Sequence, residues 1–322
     1  VLLHCLHHRS AYGFDSRHIP HPFLMDFRHI VHPFDLFVQH IKEDFAMLSK
    51  REKLFAAVSD LHGLICPVCR QLLSRQGDNL ICAGAHAINV NRRGCVNLLS
   101  AQADTFYDAA LFAARERVFA AGCYQPVADA IDALLPDAPQ KLLDAGCGEG
   151  WYLNALLTRR TDSIGAGIDI SRDAILQATN QPCQAVWCVG DLRRLPFADG
   201  TFSAVLDVLT PANYDEFRRV LSPDGVLVKV YPGQNYLREI RAARGMSAYE
   251  EGQVDAYLRE KAQLVKSVRV HETLPVSPEL WGDFVRMTPL NHDLSAAEKD
   301  ALAQRADAHV TVDLHVALCR FR

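Results

Sequence analysis

The chain has 322 residues, 49% of them hydrophobic and 22% charged, with a formal net charge of −4. That is the make-up of an ordinary soluble globular protein of about two domains. It excludes nucleic-acid binding by a global positive field, and no uninterrupted apolar run approaches the roughly 18 residues of a membrane span. No secretory leader is recognisable, so the ten cysteines suggest a reducing cytoplasm, where they serve as thiols or metal ligands rather than disulfides.

The first 46 residues look foreign to the rest of the chain. Eight of the chain's 14 histidines fall within residues 1–40, at spacings that match no metal site, and residue 1 is Val1. Residues 1–46 are expected to be a disordered or non-native extension, translated from a misplaced start, with Met47 opening the first domain.

Residues 47–100 carry a metal signature. Two residues separate Cys66 from Cys69, twelve separate Cys69 from Cys82, and three separate Cys82 from His86. Two ligands on each of two tight knuckles satisfy a closed tetrahedral Cys3His zinc site, with no coordination position left open for catalysis. Gly77-Asp78-Asn79 supplies the turn between the knuckles. The metal would fix a ribbon too small to fold on its own core. From Gly63 to Leu98, Arg70, Arg75, Arg92 and Arg93 face Asp78 alone, leaving a modest basic patch suited to phosphate or stacked bases. A solvated ribbon face is the plainer alternative. Cys5, Cys95, Cys123, Cys147, Cys183, Cys188 and Cys319 have no ligand spacing and read as packing residues.

Residues 101–322 carry the cofactor signal. A short apolar strand runs through Asp144 into Gly146, Gly148 and Gly150, and nineteen residues later a second apolar run ends on Asp169. Glycines at such a strand-to-helix turn let the backbone bend tightly and approach a ligand, and an acid at the next strand tip can accept from a ribose diol. Trp151 fills the position where a dinucleotide fingerprint needs its third glycine. Asp144 beside the turn disfavours an anionic ligand and suits a cationic one such as S-adenosylmethionine, although a bare tight turn is the bland alternative.

Apolar runs at 142–145, 164–170, 185–189, 203–209, 226–231, 267–273 and 310–321 alternate with helical stretches such as 172–179, 214–221 and 296–306. This predicts an α/β fold, a mostly parallel sheet covered on both faces, with the last strand at an antiparallel edge. Ligands bind at the C-terminal strand ends. There Asp191 is expected near the adenine amino group, Asp207 to Asn213 beside the methyl-transfer position, and Tyr236 over the cofactor.

Ribbon and glycine loop together resemble the RlmA family of large-subunit rRNA guanine-N1 methyltransferases. C-P-V-C-R-Q-L-L-S-R, G-C-V-N-L-L, G-C-Y-Q-P, L-D-A-G-C-G-E-G, G-I-D-I-S, L-P-F and M-T-P carry the likeness, in order, across about residues 64–322. It implies a Rossmann-like class I methyltransferase sheet with an N-terminal zinc ribbon that recognises RNA, and zinc ligands at Cys66, Cys69, Cys82 and His86. Cofactor contacts would fall on Tyr124, the loop from Asp144 through Glu149 to Trp151, Asp169, Asp191 and Tyr236. Asp207 or a water near Asn213 would take the proton from guanine N1. The family is also dimeric, with RNA between the ribbons. Two rivals remain: methyl transfer to a small molecule or protein, and a non-catalytic zinc-ribbon module that binds RNA.

Overall fold

The structure, a computed structural model, describes residues 48–99, 108–250, 252–305 and 309–322. The expectation for residues 1–46 lies outside these residues. Helix α1 (Lys50–Leu61) is started by Ser49, whose hydroxyl accepts from Glu52 N, and is stopped by His62 in the left-handed region. The ribbon is a three-stranded antiparallel sheet of β1 (Leu73–Gln76), β2 (Asn79–Cys82) and β3 (Ala87–Asn89). Gly77, with φ of +61°, turns the β1–β2 hairpin where Gln76 pairs with Asn79.

The next elements are β4 (Val96–Asn97), α2 (Ala109–Ala120), α3 (Gln125–Leu134), β5 (Lys141–Ala145), α4 (Trp151–Arg159), β6 (Ile164–Asp169), α5 (Arg172–Ala178) and β7 (Ala185–Val189). They are followed by β8 (Phe202–Val208), α6 (Tyr214–Val220), β9 (Leu221–Pro232), α7 (Arg238–Ala243), α8 (Gln253–Lys261), β10 (Gln263–Pro275), α9 (Pro278–Met287), α10 (Ala296–Ala303) and β11 (His309–Arg320). Eight strands form one sheet in the order β10-β11-β9-β8-β5-β6-β7-β4, parallel from β9 to β4 and antiparallel on both sides of β11. Alternating side chains divide between its faces. Leu142, Ala204 and Leu206 join the core beneath α3 and α4, while Leu143, Val205 and Ile168 join the core beneath α1 and α6. Both faces are covered, so the central strands read as continuous apolar runs. Each fully buried leucine in these layers contributes about 2 kcal/mol.

Two expectations are corrected. The last strand is not an edge: β11 lies between β9 and β10, and Val310 to Cys319 are nearly all buried. The edge is β10, whose exposed, charged side chains keep further strands from pairing. Nor does the segment 47–100 stand apart as a ribbon. Leu54, Phe55, Val58 and Leu61 of α1 are buried in the sheet-facing core, and β4 extends the main sheet by pairing with Cys188 and Val189 of β7. Residues 48–322 are one unit.

Candidate functional site

Four metal-ligating groups converge in the ribbon. The ligand atoms of Cys66, Cys69, Cys82 and His86 all lie within 4.8 Å of one another. Cys69 Sγ stands 3.5 Å from Cys82 Sγ, which stands 3.4 Å from His86 Nδ1. Those are the edges expected of a tetrahedron with bonds of about 2.0–2.3 Å. Zinc fits this donor set. The first knuckle folds because Cys66 N donates to Gln71 O and Arg70 N to Cys66 O, with Arg70 at φ +64°.

The basic patch is less free than its composition implies. Arg75 is held bidentately by Glu52 at 2.6 and 2.9 Å, with Phe55 against its guanidinium. Arg70 donates to Leu195 O, and Arg93 reaches Leu176 O and Asn180 Oδ1 at the end of α5. Arg92 is exposed. The ribbon is also joined to the body by backbone bonds, Ile65 N to Pro196 O and Ala198 N to Gly63 O.

At the C-terminal ends of the parallel strands lies a cavity of about 740 Å³. The loop after β5 shapes it. Gly146 N and Cys147 N both donate to Ile168 O of β6, folding the chain back sharply. Gly146 has φ +79°, and a Cβ there would stand 2.5 Å from Thr210 Oγ1. At Gly150, φ +76°, a Cβ would meet the Trp187 ring at 2.5 Å, so this glycine admits helix α4 against the sheet.

Of the residues expected at the cofactor, Tyr124, Gly146, Gly148, Asp169, Asp191 and Tyr236 line this cavity. Asp169 accepts from Gly148 N at 2.9 Å and Ser171 N at 2.8 Å. Asp191 accepts from Arg193 N at 2.8 Å and Nε at 2.9 Å, and this pairing holds its carboxyl below the usual range. The hydroxyls of Tyr124 and Tyr236 share a hydrogen bond of 2.8 Å, joining the segment before α3 to the loop after β9. Asp144, Glu149, Gly150 and Trp151 stand behind the lining. Trp151 stacks on Phe119 at 4.7 Å, and Glu149 accepts from Arg115 Nε at 2.9 Å.

Asp207 is a correction. Expected beside the methyl-transfer position, it is fully buried within the sheet, its Oδ2 2.9 Å from Lys229 Nζ in the facing register of β9. The same ammonium donates to Thr210 O at 2.6 Å, so the pair anchors the cavity-lining loop from below. Burial raises the Asp207 carboxyl to about 6 against the pull of Lys229. Asn213 lines the cavity, but its side chain caps α6 through Glu216 N and donates to Leu192 O.

The electrostatics around the glycine loop favour a cation. Burial first, then Glu149 and Asp169, pushes the Asp144 carboxyl up to about 7. Burial likewise raises Glu149, against Arg115, and Asp169, against its backbone donors. Asp144 Oδ2, Glu149 Oε1 and Tyr152 Oη are buried without a hydrogen-bond partner. Three gathered acids and unmet oxygens fit the ammonium and sulfonium of S-adenosylmethionine, and a cavity this size admits such a ligand.

Sequence reasoning missed Arg115, Tyr152, Arg241 and Tyr249 as lining residues. It noted M-T-P without a role; Met287, Thr288 and Pro289 line the cavity. Among the described residues no helix is long and apolar enough to cross a membrane. Cys95, Cys123, Cys147, Cys188 and Cys319 are buried free thiols and Cys183 is half-buried; Cys5 lies outside the described residues.

Comparison with known proteins gives two family matches: residues 142–225 match a methyltransferase domain, and residues 64–105 match the RlmA N-terminal zinc ribbon. A Bacillus subtilis protein provisionally named 23S rRNA (guanine-N(1)-)-methyltransferase is 33% identical over 268 residues, 79% of this chain and 95% of the relative. A Micromonospora griseorubida protein with the same provisional name is 31% identical, over 80% of this chain and 97% of its own length. The 23S rRNA (guanine(748)-N(1))-methyltransferase of Streptomyces fradiae is 30% identical, over 80% and 96%.

Proposed function

This chain belongs to the RlmA-type family of 23S rRNA (guanine-N1)-methyltransferases, and on that premise we infer that it transfers a methyl group from S-adenosylmethionine to N1 of a guanine in 23S rRNA. The observation that carries this reading is the joint of ribbon and cavity in one body: a zinc ribbon bonded at Ile65 and Gly63 to the loop that follows Asp191. A ribbon fixed beside a cofactor cavity suits a large substrate that must be gripped while one of its bases is modified.

When bound, S-adenosylmethionine supplies a methyl group already activated for attack, so what the chain must provide is position. Tyr124 and Tyr236, linked to each other, and Asp169 at the tip of β6 orient the cofactor. Asp144 and Glu149 supply negative potential from behind the glycine loop. Guanine N1 is engaged in pairing within a duplex, so the acceptor must be unpaired or flipped. Tyr124, Tyr236 and Asp169 would hold the cofactor with its methyl group facing the acceptor nitrogen, and the N1 proton displaced on transfer would pass to solvent water. The cavity-lining carboxylates, Asp169 and Asp191, already accept backbone hydrogen bonds, Asp169 from Gly148 N and Ser171 N and Asp191 from Arg193 N. Catalysis therefore rests on alignment and charge rather than on a dedicated base.

RNA capture is assigned to the ribbon, with Arg92 as its freest cation; a homodimer placing RNA between two ribbons, and a cytoplasmic location, accord with the same reading. Purified protein is incubated with S-adenosylmethionine and unmodified 23S rRNA, and the nucleosides are mapped by mass spectrometry. Formation of 1-methylguanosine at one site is expected. Arg92→Glu should lower RNA affinity and flatten its salt dependence while leaving cofactor affinity unchanged. An rRNA left unmethylated would overturn the reading.

A further inference from the structure

The cavity extends beyond the part that the glycine loop and the tyrosine pair account for, and helix α7 organises the remaining wall. The helix begins two residues after Tyr236, and two arginines, Arg241 within it and Arg244 at its C-terminal cap, each tie down a separate segment. Arg241 donates to Ser247 O and lies over the Tyr249 ring, 5.4 Å from its centroid. Arg244 donates to Leu290 O and pairs with Asp293 at 2.7 Å. The segments so held bring Tyr249, Met287, Pro289 and Leu290 to the cavity. Tyr249 is half-buried, its ring at the cavity with Arg241 against it.

The chemistry of this wall differs from that of the glycine loop. None of its lining residues is a carboxylate, whereas the cofactor end is acidic. An aromatic face beside apolar methionine, proline and leucine side chains fits a flat, uncharged heterocycle rather than a sulfonium or a ribose. Nucleobases removed from their stack are received in this way, against aromatic and apolar side chains.

We propose that this wall is the acceptor-base site: the guanine, turned out of its RNA, is received between Tyr249 and the Met287–Leu290 segment, with the tyrosine ring stacked on the base. Arg241, clamped to Ser247 O, holds that ring in place. The assignment rests on the reading of the protein as an rRNA guanine methyltransferase, and it gives the M-T-P segment a function.

The full-length protein and its Tyr249→Ala, Tyr249→Phe and Tyr249→Trp variants are compared with S-adenosylmethionine and an unmodified 23S rRNA fragment. kcat and KM for the RNA are read by 1-methylguanosine formation, and cofactor affinity by calorimetry. Loss of one base stack lowers kcat/KM in Tyr249→Ala by about five- to 150-fold. The Phe and Trp variants retain most activity, and all three bind the cofactor like the parent protein. Unchanged kcat/KM in Tyr249→Ala overturns the inference alone. So does equal damage in Tyr249→Phe, which would make the hydroxyl the important group, or a parallel loss of cofactor affinity, which would assign the wall to the cofactor. A parent protein that leaves the rRNA unmethylated overturns the functional reading and this inference with it.

Discussion

Replacing Asp144 by asparagine should stabilise the cofactor-free protein and weaken its grip on S-adenosylmethionine. The carboxyl is buried behind the glycine loop with Glu149 and Asp169 as like-charged neighbours, and its pKa rises from 3.8 to about 7. In the unfolded chain it ionises at the lower value. Between the two values the folded protein binds one proton more than the unfolded chain, so stability falls as pH rises. About three pH units at roughly 1.4 kcal/mol each set a ceiling of about 4 kcal/mol, fully lost by pH 8. Asparagine keeps the size and cannot ionise, so the variant should match the parent near pH 3 and exceed it at pH 8. Glu149 and Asp169, also raised by burial, retain their share of the pH dependence in both proteins. A cationic ligand favours the ionised form. Parent affinity should therefore strengthen as pH rises through about 7, with proton release, whereas the variant lacks that component and binds about 1–3 kcal/mol more weakly. Denaturant titrations across pH, and calorimetry in buffers of different ionisation enthalpy, read both effects. A variant no more stable than the parent at pH 8, with equally pH-dependent cofactor binding, would refute the argument.

Two further perturbations rest on the same physics. Lys229→Ala strands a fully buried Asp207 whose Oδ1 is already unpartnered, and should cost about 3–5 kcal/mol in urea denaturation; the double change Lys229→Met with Asp207→Leu should cost far less. A single-variant loss below about 1 kcal/mol would count against a net attractive pair. Metal analysis should find one zinc per chain in the parent and none in Cys66→Ser. Because the ribbon is bonded to residues 196–198, that variant should lower the main melting transition rather than lose a separate one; a metal-free parent protein would contradict the assignment.

What the sequence made legible was local. The ribbon ligands sit on two knuckles whose spacing is a covalent matter, and Gly146 to Gly150 declare their turn through residue type alone. The strand succession was readable because strands buried on both faces leave long apolar runs. The failures concern partners distant in sequence. Asp207 reads as a site acid until β9 brings Lys229 alongside, and no local pattern announces that register. Likewise β11 alternates as an edge strand would, and only β10 pairing outside it makes it central. Arg75 and Arg93 count as free charge in composition, yet Glu52 and the end of α5 consume them. The wall of Tyr249 and Met287–Leu290 exists only because two arginines, one on α7 and one at its C-terminal cap, collect segments 38 residues apart.

The attachment of the ribbon bears on how such enzymes can be recombined. Its hold on the body runs through helix α1, the edge strand β4 and backbone bonds to residues 196–198, three places separated along the chain. A ribbon exchanged between relatives at the knuckles alone would therefore arrive without its mountings. A working chimera would have to bring along the flanking helix and edge strand, together with a receiving loop whose carbonyl at Pro196 and amide at Ala198 meet the newcomer in register. Inheritance of target choice should thus follow that composite joint, and a crossover placed inside it should yield protein that binds cofactor but misplaces its RNA.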